Sequence, residues 1–265
     1  MKKIFLPLLM VTNAAIAQSW QVEVQAGAAG YSGDLNAKAF SIHNIGPGVT
    51  VNARYNFNSM FGLRAGLSWG QVGGNDKYNE KSPELLARNL NFKTSIAEFN
   101  VCAELNLLSP ELYYTYPYVF AGVGVFHFNP YSTDKNGQKV YLQPLGTEGQ
   151  GLPEYGDKKM YSLTQLCIPF GGGVRMKIND QWDAGFEVGY RKLFTDYLDD
   201  VSGRYANPEI LLTGRGSQAY QMAYRGSPTN IPQGGEIRGN PKKKDWYYFI
   251  GLKLIWKFGT IEPEY

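Results

Sequence analysis

The sequence predicts an all-β protein, an eight-stranded antiparallel transmembrane β-barrel with long extracellular loops, on three observations. The last strand, Asp245 to Gly259, sets Trp246, Tyr248, Ile250, Leu252, Leu254, Trp256 and Phe258 on one parity against Gly251, Lys253 and Lys257 on the other. One face is therefore wholly apolar with aromatic residues at both ends, as in a strand that crosses a bilayer between two interfaces. Seven earlier segments alternate with the same period of two. The connections between them are alternately short and long, the rhythm of periplasmic turns and external loops.

Composition agrees. The 265 residues include 31 Gly, 19 Tyr and 5 Trp with 18% charged residues, which leans towards a sheet-rich protein. A mean hydropathy of -0.32 argues against a bundle of membrane helices. Lys2 and Lys3 precede the apolar run Ile4 to Val11 and small residues at Ala15 and Ala17, a secretory signal over residues 1–17 cleaved before Gln18. No cysteine sits just after that site, so nothing suggests a lipoprotein anchor. Residues 18–259 form the barrel with its loops, and residues 260–265 a periplasmic tail. Loss of the two leader lysines lowers the formal charge of +3 and supports neither nucleic-acid binding nor an acidic-substrate channel. Cys102 and Cys167 fall on strands separated by a third, roughly twice 4.8 Å apart, too far for a disulfide. They read as two free interior thiols.

Taken in order, the first strand, Trp20 to Tyr31, turns Trp20, Val22, Val24, Ala26 and Ala28 to lipid and Gln21, Glu23 and Gln25 inward. The second, Gly48 to Phe57, opposes Val49, Val51, Ala53 and Tyr55 to Thr50, Asn52 and Arg54. The third, Phe61 to Gln71, opposes Leu63, Ala65, Leu67 and Trp69 to Arg64, Ser68 and glycines. The fourth, Thr94 to Leu107, opposes Ala97, Phe99, Val101 and Ala103 to Glu98, Asn100, Cys102 and Glu104. The fifth, Tyr116 to Phe128, is apolar on both parities, and Val119, Ala121, Val123 and Val125 are expected outward. The sixth, Leu163 to Ile178, puts Gln165, Cys167, Arg175 and Lys177 inside. The seventh, Trp182 to Phe194, does the same with Asp183, Glu187 and Arg191. Each is long enough to cross a membrane, which takes a tilted strand ~9 to 11 residues. Trp20, Trp182 and Trp256 then mark the periplasmic rim, Trp69 and Trp246 the outer one.

The inward rows collect Glu23, Arg54, Arg64, Glu98, Glu104, Arg175, Glu187, Arg191 and Lys253. An eight-stranded bore is only wide enough to be filled by side chains, and an unpaired buried charge is costly, so these groups read as a paired ionic plug; the alternative is a narrow ion path. His127 lies near the outer end of the fifth strand with Ser132 and Asp134 nearby, a start towards a lipid-modifying hydrolase, but no oxyanion donor or second partner is evident and an interfacial histidine is the plainer reading. The run Thr147 to Gly151 (TEGQG) lacks the strand, helix and lysine of a phosphate loop and reads as an ordered external turn. Asp196, Asp199 and Asp200 lack EF-hand spacing and read as a turn or cap. Lys242 to Lys244 sit where lipid phosphates are. Neither cofactor nor small-molecule substrate is implied. Loop residues such as Tyr141, Leu142, Leu145, Tyr155, Tyr197, Tyr205 and Tyr220 predict a partly ordered external cap.

The strings YSGDL (Tyr31 to Leu35), FNP (Phe128 to Pro130), LQPLGTEGQG (Leu142 to Gly151), YSLTQ (Tyr161 to Gln165), FTDYLDDVS (Phe194 to Ser202) and RGN (Arg238 to Asn240) followed by DWY resemble the PorG-like family. These are outer-membrane barrels of the type IX secretion system of Bacteroidetes, and the resemblance spans the mature chain. It implies a non-enzymatic accessory subunit that contacts the periplasmic ring of the lipoprotein PorK and its partner PorN. A ring beneath the membrane reaches only short turns and termini, so Asn58, Pro110, Glu111, Asp180 and the tail with Glu262 and Glu264 are the candidate contacts. The competing classes are a lipid-modifying barrel using His127 and a small channel or adhesin.

Overall fold

The computed structural model describes residues 19–36, 44–79, 82–156 and 158–258; the predicted leader and the tail with Glu262 and Glu264 lie outside them. Ten strands follow in chain order: β1 (Ser19–Ser32), β2 (Ile45–Asn56), β3 (Phe61–Asn75), β4 (Asn91–Asn106), β5 (Thr115–Phe128), β6 (Tyr131–Thr133), β7 (Lys139–Tyr141), β8 (Thr164–Lys177), β9 (Trp182–Leu193) and β10 (Trp246–Phe258). Eight of them run β3-β2-β1-β10-β9-β8-β5-β4, and β4 pairs back to β3, closing an antiparallel barrel. The seam of first and last strands is in register over its length, from Trp20↔Phe258 through Val24↔Leu254 to Ser32↔Trp246. Closure leaves no backbone edge in hydrocarbon.

Alternation along each strand sorts the side chains. Leu67, Val123 and Leu252 are 66%, 67% and 71% exposed on the outer wall, while Glu23 and Arg175 are 0% exposed inside. A continuous apolar band of this extent belongs in lipid. β5 takes the expected facing, with Val119, Val123 and Val125 outward and Tyr116, Tyr118, Phe120 and Phe126 buried. The inner parity wins because its tyrosine hydroxyls find carboxylates there. Cys102 and Cys167 are free and buried, one paired with Gly122 and the other with Gly124 across the intervening β5. Among the described residues no helix is long and apolar enough to cross a membrane.

The aromatic rims contact one another. At the periplasmic end the Trp182 and Trp256 rings stack at 6.0 Å and Trp20 lies 5.1 Å from Tyr55. At the outer end Trp246 meets Phe170 edge-on at 5.9 Å.

The outer end is more built than the sequence suggests. β3 and β4 continue beyond the expected Gln71 and Thr94 as an arm paired through Gly73↔Lys93 and Asn75↔Asn91, and the hairpin of β6 and β7 joins it at Lys93↔Tyr131. Two helical segments, α1 (Pro83–Arg88) and α2 (Pro208–Ala223), lie in the long connections. The Asn207 side chain accepts from Glu209 N and Ile210 N to cap α2, and Pro208 follows at the first turn, where its missing N–H costs nothing. Gly216, at φ +85°, breaks the segment. Leu152, Ala206, Leu211, Ala219 and Ala223 form its small core. A second core runs from the barrel mouth into the cap through Phe126, Phe128, Tyr161, Leu193, Leu198 and Tyr247. The external loops are thus a packed lid in which Tyr141 stays exposed, sharing Lys139 with Tyr131.

Candidate functional site

Each buried charge of the barrel interior has its counterpart in another strand; Lys177, placed inside by the sequence, is only half-buried and is not part of the assembly. Glu23 on β1 receives Arg175 Nη2 at 2.5 Å and Lys253 Nζ at 2.7 Å. Glu104 on β4 receives Arg175 at 2.6 Å, Arg54 at 3.1 Å and Arg64 at 3.3 Å. Glu187 on β9 receives Arg64 at 2.6 Å and Lys253 at 2.7 Å, and Tyr118 Oη donates to it at 2.6 Å. Nearer the outer mouth Arg191 pairs with Glu98 at 2.9 Å, and Tyr247 Oη donates to the same carboxylate at 2.5 Å. At the periplasmic end Lys257 pairs with Asp183 at 2.8 Å, which also accepts from Tyr116. Arg64 and Arg175 lie over the rings of Phe120 and Tyr118 at 3.8 and 4.1 Å, so cation–π contact supplements the ion pairs.

All nine inward residues of the sequence analysis belong to this assembly, and each is at most 3% exposed. Side chains so enclosed line no water-filled passage, so the bore is plugged. Sequence reasoning missed the tyrosines. The inward parity of Tyr116, Tyr118 and Tyr247 is the signal that could have found them, since a buried phenol needs a partner.

The periplasmic end is three tight turns. Asn58 Oδ1 accepts from Met60 N and Phe61 N at 2.9 and 2.7 Å, and Asn179 Oδ1 does the same for Gln181 and Trp182. Pro110 lies in the third turn at intermediate burial, with Glu111 exposed beside it; Asn58 and Asp180 are exposed in theirs. Among the described residues, the four candidate contacts lie on the three turns at one end of the barrel, Pro110 and Glu111 sharing one.

The cap gathers residues scattered over the sequence. Glu148 is completely buried; its Oε1 accepts from Ser202 N, Gly203 N and Arg238 Nη1 at 2.9, 3.1 and 3.1 Å. Asp200 accepts from Thr147 Oγ1 at 2.5 Å and Tyr161 Oη at 2.7 Å, and its backbone carbonyl accepts from Arg238. Tyr161 stacks on Tyr197 at 4.7 Å. Arg88 grips Asp76 at 2.7 Å and donates to the carbonyls of Asp34 and Arg238. The segments TEGQG, YSLTQ, FTDYLDDVS and RGN therefore meet in one buried knot. Thr147 to Gly151 is the ordered turn in an external loop that the sequence predicts, but Thr147, Glu148 and Gln150 are buried in it because the amides and guanidinium that need an anion lie beneath them. The knot corrects the reading of Asp200, which is an ion-pair partner of Arg238 at 3.8 Å as well as a turn residue.

Beside the knot Asp196, Asp199 and Asp245 are buried without a Lys or Arg partner among the described residues, unlike the other buried carboxylates. Tyr31 Oη donates to Asp199, and Leu198 N to Asp245. Burial pushes the Asp196 carboxyl up to about 7, reinforced by Asp34. Burial raises Asp199 and Asp245 as well, and each is raised further by neighbouring carboxylates. Among the described residues no three His, Cys, Asp or Glu side chains are placed to hold a metal.

His127 does not assemble with its sequence neighbours. Its Nδ1 is 2.9 Å from Thr164 Oγ1 on the outer wall. Ser132 is bonded to Asn91 and Arg225, and Asp134 accepts from the amides of Asn136 and Gln138.

A family model described as outer membrane protein beta-barrel domain matches residues 4–210. The chain belongs to that family. Among solved structures it is similar to the neisserial surface protein NspA, at 12% identity and TM-score 0.45 over 91% of this chain and 99% of that one. It is also similar to Ail of Yersinia pestis, solved with the heparin analogue sucrose octasulfate, at 10% identity and TM-score 0.44 over 91% and 99%. OprG of Pseudomonas aeruginosa matches at 11% identity and TM-score 0.41 over 92% and 95%. No curated protein matches the chain. As a member of the outer membrane β-barrel family, the protein resides in the outer membrane, with its apolar wall in lipid.

Proposed function

We propose that this barrel is a non-enzymatic subunit of a type IX protein secretion machinery of Bacteroidetes, and that it anchors the periplasmic PorK/PorN ring to the outer membrane. The observation that carries the reading is the plugged bore. A barrel whose axis is filled by mutually paired Glu23, Glu104, Glu187, Arg64, Arg175 and Lys253 has its surfaces, not its lumen, left for function. The strings that resemble the PorG-like family support it further, because four of them build the one buried knot of the cap. Asn58, Pro110, Glu111 and Asp180 are the contacts on the turns, joined by Glu262 and Glu264 on the tail.

The test replaces Asn58, Glu111 and Asp180 by lysine together and deletes residues 260–265. The expected result is loss of ring copurification and of secretion, with the barrel still assembled in the membrane. Unchanged copurification and secretion would exclude this surface. A His127→Ala variant with an altered lipid A acyl pattern by mass spectrometry would instead favour a lipid-modifying enzyme.

A further inference from the structure

The lipid-facing wall has a notch at the level of the outer aromatic rim. There the register runs Trp69↔Ala97 and Ala97↔His127, so the small Ala97 separates two large rings. One step deeper the floor is Leu67↔Phe99 and Phe99↔Val125. A cavity of about 560 Å³ opens here, lined by Val49, Leu67, Trp69, Ala97, Phe99 and His127. The contact of His127 with Thr164 at 2.9 Å fixes one wall.

Directly above, along the same three strands β2, β3 and β4, lies a second cleft of about 740 Å³. It is lined by Ile45, Gln71, Gly73, Lys77, Lys93 and Tyr131. Their linings adjoin along β2 and β3, where Pro47 and Gln71 of the upper cleft stand one side-chain step above Val49 and Trp69 of the lower cavity. Lys93 projects from the same face as Ala97, four residues higher, about 13 Å along the strand at ~3.3 Å per residue. That is the step from the hydrocarbon boundary marked by a tryptophan to the headgroup layer. Neither Lys77 nor Lys93 has an acidic partner among the described residues, and both are exposed.

We propose that the two stacked cavities are one binding site for a phosphorylated lipid of the outer leaflet, an acyl chain lying in the Ala97 notch and the headgroup phosphate held by Lys77 and Lys93. Solvating lipid needs only a greasy wall. An apolar slot continuous with an uncompensated cationic cleft, with the change from one to the other at the membrane boundary, matches an anionic amphiphile in both shape and charge.

The test uses the full mature chain in detergent micelles, with lipid retention read by native mass spectrometry. The probes are bisphosphorylated lipid A and fully dephosphorylated lipid A. Wild type should retain the phosphorylated form about tenfold better, roughly 1.4 kcal/mol. The double variant Lys77→Gln/Lys93→Gln should lose that preference but keep the lipid, and Ala97→Leu or Ala97→Phe should lower retention of both. All these substitutions keep the local polarity of the wall, and heat-modifiable mobility on gels verifies that each barrel is folded. Equal retention of both lipids by wild type, undiminished retention by the folded Ala97 variants, or displacement of the lipid by excess inorganic phosphate would each overturn the assignment.

Discussion

Arg64 on β3 and Glu187 on β9 meet as a two-point pair, Nη1 to Oε2 at 2.6 Å and Nη2 to Oε1 at 3.1 Å. Their strands stand four places apart in a ring of eight, so the pair spans the full width of the barrel and ties opposite walls together. Glu187→Ala would leave this guanidinium with weaker partners in a dry interior, and breaking a buried pair on one side costs about 3–5 kcal/mol. Replacing both residues by methionine is expected to cost less, since no charge is then stranded. Urea unfolding of the refolded barrel in liposomes measures both. A loss below about 1 kcal/mol for the single variant would mean that water reaches the bore.

The same cross-bore pairing predicts electrical silence. Wild-type protein in planar bilayers should give no stable open channel. Truncating Arg64, Arg175 and Glu187 together removes side chains from three walls and should open a small ion-conducting path, because eight strands leave a bore that only side chains fill. Steady conductance by the wild type would contradict the packing.

Glu148 does for the cap what Glu187 does for the bore. Glu148→Ala strands the Ser202 and Gly203 amides and leaves Arg238 with Asp200 alone, and an unsatisfied buried donor costs about 1–3 kcal/mol. Hydrogen exchange at the two amides should then quicken by roughly one to two orders of magnitude. The exposed Lys242→Ala serves as a control and should change nothing. Unaltered protection at Ser202 in Glu148→Ala would show that the knot is held by other contacts.

How much of this was legible varies with the range of the interaction. Period-two alternation placed the eight barrel strands and the facing of all but the fifth, which is apolar on both parities, because each residue's environment is dictated by its immediate neighbours along the strand. The membership of the ionic plug followed from the same parity, but not who pairs with whom: Arg64 and Glu187 are 123 residues apart, and only the closed ring decides that they face each other. The hairpin of β6 and β7 has strands of three residues, too short for a periodic signal. α2 carried a readable start in Asn207, Pro208 and Glu209, yet Gly214 and Gly216 blurred its period. Glu148 and Arg238 lie in loops with no periodicity, so their burial had no local signature.

The last expectation concerns acidity at the cap. Asp196 titrates near 7 in the folded protein, against about 3.9 for a free aspartate. Its folded value is raised, so between roughly pH 4 and 7 the closed cap keeps a proton that an opened segment releases. Its contribution is complete below the unfolded value, declines as pH rises through this window and is lost above about 7. Asp200, held up to about 6 chiefly by burial with Arg238 opposing, acts in the same sense over a narrower range. The segment 195–202 should therefore exchange its amides more slowly, after correction for intrinsic rates, at pH 5 than at pH 8, and Asp196→Asn should shrink the difference to the part that Asp200 supplies. The Asn variant isolates the cause, since it keeps the side-chain size while removing the titration. Equal corrected protection at both pH values in the wild type would mean that this carboxyl is ionised in the closed cap and finds a cation there.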